Sequence, residues 1–101
     1  MLWYQYVLCF FGGAFTANFF PHFVKGITGS QFPTPFAKPP GRGMSPAPVN
    51  VLWALGNLVV GFFLLRAGGF SLSNDPALGV GFAGFATMGL MMSRVFSQRF
   101  G

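Results

Sequence analysis

Cysteine, histidine and acidic side chains do much of the chemistry in proteins, and this chain has one of each: Cys9, His22 and Asp75. They lie in three separate segments, which does not predict a catalytic triad or a carboxylate pair. Imidazole is the commonest metal ligand of proteins, so His22, which lies among phenylalanines, is a candidate ligand for heme iron or for the magnesium of a (bacterio)chlorophyll. We therefore predict that the chain is not an enzyme and that His22 is its one candidate for binding a cofactor.

A simpler interpretation of His22 is a side chain at the membrane interface that hydrogen-bonds to a loop carbonyl. A metal held by a single side chain needs ligands from other subunits or from a macrocycle, and the sequence has no second histidine. We favour this interpretation, which predicts no cofactor and no metal site, and keep the heme or chlorophyll ligand as the alternative.

Residues 79–84 read Gly-Val-Gly-Phe-Ala-Gly and match the G-x-G-x-x-G pattern of dinucleotide-binding loops. That fingerprint requires a preceding strand and an acidic residue about twenty positions further on. Here the match lies inside an apolar helical segment and no acidic residue follows it. The pattern therefore does not predict nucleotide binding.

Three asparagines, Asn18, Asn50 and Asn57, could line a polar path, which would make the protein a small homo-oligomeric membrane carrier. Transport sites usually contain ionisable residues inside the spans, and the predicted spans have none deep inside. Amides are costly in hydrocarbon unless they are paired. We therefore predict that Asn50, Trp53 and Asn57 lie on a helix face that binds a partner subunit.

The composition is that of a membrane protein, with 52% hydrophobic and only 7% charged residues among 101. A soluble domain normally has about 25% charged residues. The net charge is +5, but the basic residues are isolated beside apolar runs. This spacing favours anionic lipid headgroups over nucleic acid as partners, with Lys25, Lys38 and Arg42 as the predicted headgroup contacts.

Three apolar runs, at about residues 2–20, 48–66 and 76–96, are each long enough to cross a hydrocarbon core of about 30 Å. Pro21 ends the first run, and Asp75 is the predicted N-cap of the third. The predicted fold is one all-α membrane unit of three transmembrane helices. A long loop rich in proline and phenylalanine, at about residues 21–47, joins the first helix to the second.

Small side chains recur at a spacing of four residues in two of the predicted spans. Gly13 and Ala17 lie on the first span, and Gly79 and Ala83 lie on the third. Small residues let the backbones of two membrane helices approach closely. We predict that these four residues contact helices of partner subunits.

The segment 21–50 contains seven of the eight prolines. Proline lowers the entropy that a segment loses on ordering, and Phe32 and Phe36 add apolar area to an otherwise polar loop. A segment that only connected two spans would not need phenylalanine. We predict that Phe32 and Phe36 bind a partner subunit.

Three short sequence motifs resemble those of small uncharacterised bacterial membrane proteins. They are Pro-His-Phe-Val at 21–24, Phe-Pro-Thr-Pro-Phe-Ala at 32–37 and Asn-Val-Leu-Trp at 50–53. The resemblance implies a bacterial inner membrane. Five of the six basic residues lie on the side of the long loop and the C-terminal segment. The charge bias predicts that this side is cytoplasmic and that the N-terminal end is periplasmic.

These observations predict a non-catalytic accessory subunit of a larger membrane complex, respiratory or photosynthetic, whose partners are other membrane subunits and lipids. The first alternative is a subunit that binds heme or (bacterio)chlorophyll through His22. The second is a homo-oligomeric carrier that uses the asparagine face.

Overall fold

The computed structural model describes residues 1–100, which form three long helices and one short antiparallel strand pair. Helix α1 is Trp3–Ile27, strands β1 and β2 are Phe32–Pro33 and Met44–Ser45, and helices α2 and α3 are Ala47–Ala67 and Asp75–Phe100. Each helix is long and apolar enough to cross a membrane. The predicted helical class, with three helices able to span a membrane, is confirmed.

Helix α1 lies in the middle of the molecule. It packs against both α2 and α3, whereas α2 and α3 make few contacts with each other. Glycines permit this packing: a Cβ added to Gly26 would lie 2.5 Å from Cγ2 of Val51 in α2, and one added to Gly13 would overlap the carbonyl oxygen of Gly81 in α3. In lipid, close packing of this kind is a main source of helix association.

The face of α3 that meets α1 is different from the Gly79 and Ala83 face, for which we predicted a contact with a partner subunit. Gly84 is buried there, and a Cβ added to it would overlap the carbonyl oxygen of Phe10. Gly79 and Ala83 are exposed instead. Residues two positions apart on a helix point about 200° apart, so Gly79 and Ala83 lie on nearly the opposite side from Gly81.

Pro21 does not end the first helix, which continues to Ile27. A proline removes one backbone hydrogen bond from a helix, and neighbouring groups in membrane proteins often compensate for this loss. The residues that follow Pro21 are held by tertiary packing, since His22 and Gly26 are buried. His22 and Lys25 therefore lie on α1 and not, as predicted, in a loop.

Residues 32–45, called the hairpin below, take up most of the connection that was predicted as a loop at 21–47. Strands β1 and β2 pair in antiparallel register. The backbone N–H of Gly41 donates to the carbonyl of Thr34 at 2.9 Å, and the hydroxyls of Thr34 and Ser45 bond at 2.6 Å. The connection is therefore an ordered element with its own hydrogen bonds.

Asn74, and not Asp75, caps helix α3. The side-chain oxygen of Asn74 accepts a hydrogen bond from the N–H of Ala77 at 3.3 Å, which is the usual N-cap geometry. Asp75 is the first residue of the helix, where its negative charge favours the positive end of the helix dipole.

Candidate functional site

The candidate site is a buried polar cluster where α1, α2 and the hairpin meet. Nδ1 of His22 lies 2.9 Å from Oδ1 of Asn50, and these side chains are 4% and 0% exposed. Nδ2 of Asn50 donates to the carbonyls of Phe32 at 3.0 Å and Ser45 at 3.1 Å. One amide side chain therefore joins the first helix and the hairpin to the second helix.

The orientation of the Asn50 amide determines which nitrogen of His22 carries a proton. The amide nitrogen of Asn50 faces carbonyl oxygens, so its oxygen faces His22 and must accept a hydrogen bond. Nδ1 of His22 is therefore the donor, and in the neutral ring Nε2 keeps a lone pair. A histidine that ligates a metal commonly has its second nitrogen anchored in this way.

Two aromatic rings lie beside His22, whose side chain is buried. The ring centroid of His22 lies 5.4 Å from that of Phe32 and 6.4 Å from that of Trp53, both in edge-to-face orientation. Because His22 is only 4% exposed, a porphyrin could reach its ring only if neighbouring side chains moved. Among residues 1–100, His22 belongs to no group of three or more His, Cys, Asp or Glu that could hold a metal ion.

A second polar contact joins α1 to α2 deeper in the spans. Nδ2 of Asn18 donates to Oδ1 of Asn57 at 2.9 Å, and Nδ2 of Asn57 donates to the carbonyl of Trp53 at 2.8 Å. Asn57 is 2% exposed and lies at the middle of α2. This contact satisfies an amide that would be costly in hydrocarbon.

The residues predicted to bind a partner subunit divide into two groups. Five are buried within the chain and contact its own helices or hairpin: Gly13, Ala17, Phe32, Asn50 and Asn57. The other four have accessible surface: Phe36, Trp53, Gly79 and Ala83. The neighbours of the first group come from the helices and the hairpin of the same chain, for example Gly81 of α3 beside Gly13 and His22 of α1 beside Asn50.

The three predicted headgroup contacts, Lys25, Lys38 and Arg42, are all exposed at the hairpin end of the molecule. Nζ of Lys25 also lies 5.9 Å from the ring centroid of Phe32. A cation over a ring face is a weak attraction at an exposed site, so Lys25 keeps its charge accessible to headgroups.

An aromatic contact that was not predicted from the sequence holds the hairpin against α3. The ring centroid of Phe32 lies 4.6 Å from that of Phe96 and 5.6 Å from that of Phe100. Phe96 and Phe100 are four residues apart and therefore share a helix face. The four-residue spacing of Phe96 and Phe100 was the feature of the sequence that indicated an aromatic face on α3.

Comparison with known proteins finds no matching family model, no similar curated protein and no similar solved structure.

Replacing Asn50 by leucine should destabilise the fold more than the same change at Asn57. Asn50→Leu removes hydrogen bonds to α1 and to the hairpin, and we expect a loss of about 2–4 kcal/mol in the free energy of unfolding. Asn57→Leu, the matched control on the same helix, should cost about 0.5–2 kcal/mol. Denaturant titration in mixed micelles measures both. An equal cost for the two variants would show that Asn50 does not join the three elements.

Proposed function

We propose that this chain is a non-catalytic accessory subunit of a larger membrane complex. The surface formed by Phe36, Lys38 and Trp53, called the docking surface below, contacts the partner subunit. The proposal is carried by Phe36, whose side chain is 67% exposed although the hairpin around it is ordered. Respiratory and photosynthetic complexes are the proposed hosts, by analogy with other small apolar chains.

An exposed side chain on an ordered element is suited to binding because less conformational entropy is lost when the partner arrives. The backbone N–H of Phe36 donates to the Thr34 hydroxyl at 3.2 Å. The rings of Phe36 and Trp53 pack edge to face, with centroids 5.2 Å apart. Aromatic residues contribute strongly to interface cores, so this anchored pair favours a protein partner.

The exposed small residues of α3 provide a second proposed contact. Gly79 and Ala83 lie on the outer side of the helix, and a Cβ added to Gly79 would meet nothing within 4 Å. A helix of the partner could therefore approach the α3 backbone closely. Lipid covers the remaining apolar surface.

The side chains of Cys9 and His22, which could be reactive, make hydrogen bonds inside the protein, and this favours a non-catalytic role. Sγ of Cys9 donates to the carbonyl of Gly68 at 3.3 Å in the interior, and His22 is held by Asn50. Binding of heme or (bacterio)chlorophyll by His22 remains the first alternative, and it requires side chains around the buried His22 to move.

The second alternative, a homo-oligomeric carrier, would use a cavity of about 360 Å³ whose lining includes Asn18 and Asn57. The other walls of this cavity are mostly phenylalanine and methionine. Asn18 and Asn57 bond to each other, which uses part of their hydrogen-bonding capacity for packing. A carrier for polar molecules is therefore less well supported than a docking subunit.

We place the subunit in a bacterial inner membrane, as the resemblance to small bacterial membrane proteins implies. Three spans put the hairpin and the end of α3 on the same side, where five of the six basic residues lie. The excess of Lys and Arg favours the cytoplasm for that side. The N-terminal end and the turn between α2 and α3 are then periplasmic.

Replacing Phe36 by serine should release the chain from its host complex without unfolding it. The exposed ring supplies contact area to a partner but little internal packing, so partner retention should fall about tenfold or more. Co-purification of partner subunits with the tagged chain, at equal amounts of inserted chain, measures the effect.

Phe32→Ser is the control for the docking experiment. Because Phe32 is 4% exposed, its loss should lower the melting temperature of the isolated chain, which Phe36→Ser should leave nearly unchanged. Retention of the Phe36→Ser chain in the complex at wild-type amounts would exclude the docking surface as the contact.

The orientation can be tested by introducing one cysteine at a time at Arg42 or Ser73, both of which are exposed. A membrane-impermeant maleimide applied to intact cells should label Ser73→Cys and not Arg42→Cys. The unaltered chain is the blank, since Cys9 is 0% exposed. The reverse labelling pattern would mean that the hairpin is periplasmic.

A further inference from the structure

A cleft with a basic rim lies between the hairpin and the last turns of α3. Its volume is about 260 Å³, and its lining includes Pro33, Arg42, Phe96, Gln98 and Arg99. Arg42, Gln98 and Arg99 are exposed. The cleft therefore offers two guanidinium groups and one amide to a ligand, beside the apolar side chains of Pro33 and Phe96.

No acidic side chain is available to neutralise this rim. The only acidic residue of the sequence, Asp75, begins α3, and about 36 Å of helix separates it from Arg99 at 1.5 Å per residue. Lys25, Lys38 and Arg94 add further positive charge at the same end of the molecule. No acidic side chain of the protein therefore neutralises the arginines of the cleft, and a bound anion would supply a counter-charge.

An apolar groove between α1 and α3 shares the side chain of Phe96 with the lining of the cleft. The groove has a volume of about 370 Å³, and its other walls include Phe20, Pro21, Phe85, Gly89 and Met92. From Phe96 to Phe85 it follows α3 for roughly 16 Å. That is about half of a hydrocarbon core of ~30 Å, the depth of one leaflet.

We propose that the cleft and the groove together bind one anionic phospholipid. The lipid phosphate contacts Arg42 and Arg99, whose planar guanidinium groups suit phosphate oxygens, and Gln98 donates an N–H. One acyl chain lies in the groove between α1 and α3. A free phosphate would leave the groove unused, and an apolar partner helix would leave the two arginines without a counter-charge.

This lipid site is distinct from the docking surface. Phe36 packs against Trp53 of α2, whereas Arg42 faces α3 across the cleft. The lipid would therefore bind whether or not Phe36 contacts a partner subunit.

The headgroup half of the site is tested by native mass spectrometry of the purified full chain with added phosphatidylglycerol or phosphatidylcholine. Wild type should retain phosphatidylglycerol in preference to phosphatidylcholine. The double variant Arg42→Gln/Arg99→Gln should bind phosphatidylglycerol about 25-fold more weakly, since each basic residue near an anionic headgroup contributes about a factor of five. Arg66→Gln, at the opposite end of the molecule, is the charge control and should behave as wild type.

The acyl-chain half is tested by Gly89→Leu, which places a side chain in the groove. A Cβ on Gly89 meets nothing within 4 Å, and the same is true of Gly56 on α2, so Gly56→Leu is the matched control. Gly89→Leu should lower the retention of phosphatidylglycerol, and Gly56→Leu should not.

Three outcomes would overturn the lipid site. The first is equal retention of the two lipids by wild type. The second is equal retention of phosphatidylglycerol by the double arginine variant and by Arg66→Gln. The third is retention of phosphatidylglycerol that Gly89→Leu does not change. If inorganic phosphate then binds to wild type and this binding needs Arg42 and Arg99, the cleft is a site for free phosphate.

Discussion

The side-chain amide of Asn50 is the interaction on which the rest of the structure depends. Its oxygen accepts from His22 of α1, its nitrogen donates to the hairpin carbonyls of Phe32 and Ser45, and its backbone belongs to α2. Buried hydrogen bonds are strong in a low dielectric, and a broken one is costly there. Both proposed binding surfaces, at Phe36 and at Arg42, lie on the hairpin that this amide positions.

The sequence predicted the three membrane helices because length and hydropathy alone identify such spans. It did not predict where α1 ends. Pro21 is a strong local signal for a helix end, but the next turn is stabilised by burial of His22 and Gly26 against α2, which the local sequence does not reveal. Neither does local sequence reveal the hairpin, whose pairing joins residues eleven or more positions apart.

The sequence indicated that the amides of the candidate site need hydrogen-bond partners, but not which residues provide them. The cost of an amide in hydrocarbon correctly indicated that Asn50 and Asn57 contact protein, and the structure supplies that protein from α1 of the same chain. Phe32 and Phe36 look alike in sequence, yet the first is buried and the second exposed. Only the position of the hairpin against α2 and α3 distinguishes them.

Hydrogen exchange at the hairpin tests the central claim most directly. The backbone N–H groups of Ala37, Gly41 and Gly43 are hydrogen-bonded within the hairpin, so the account predicts slow exchange in wild type. It also predicts that exchange becomes fast in Asn50→Ala, while the centre of α1 stays protected. Exchange of these three amides that is as slow in Asn50→Ala as in wild type would contradict the account.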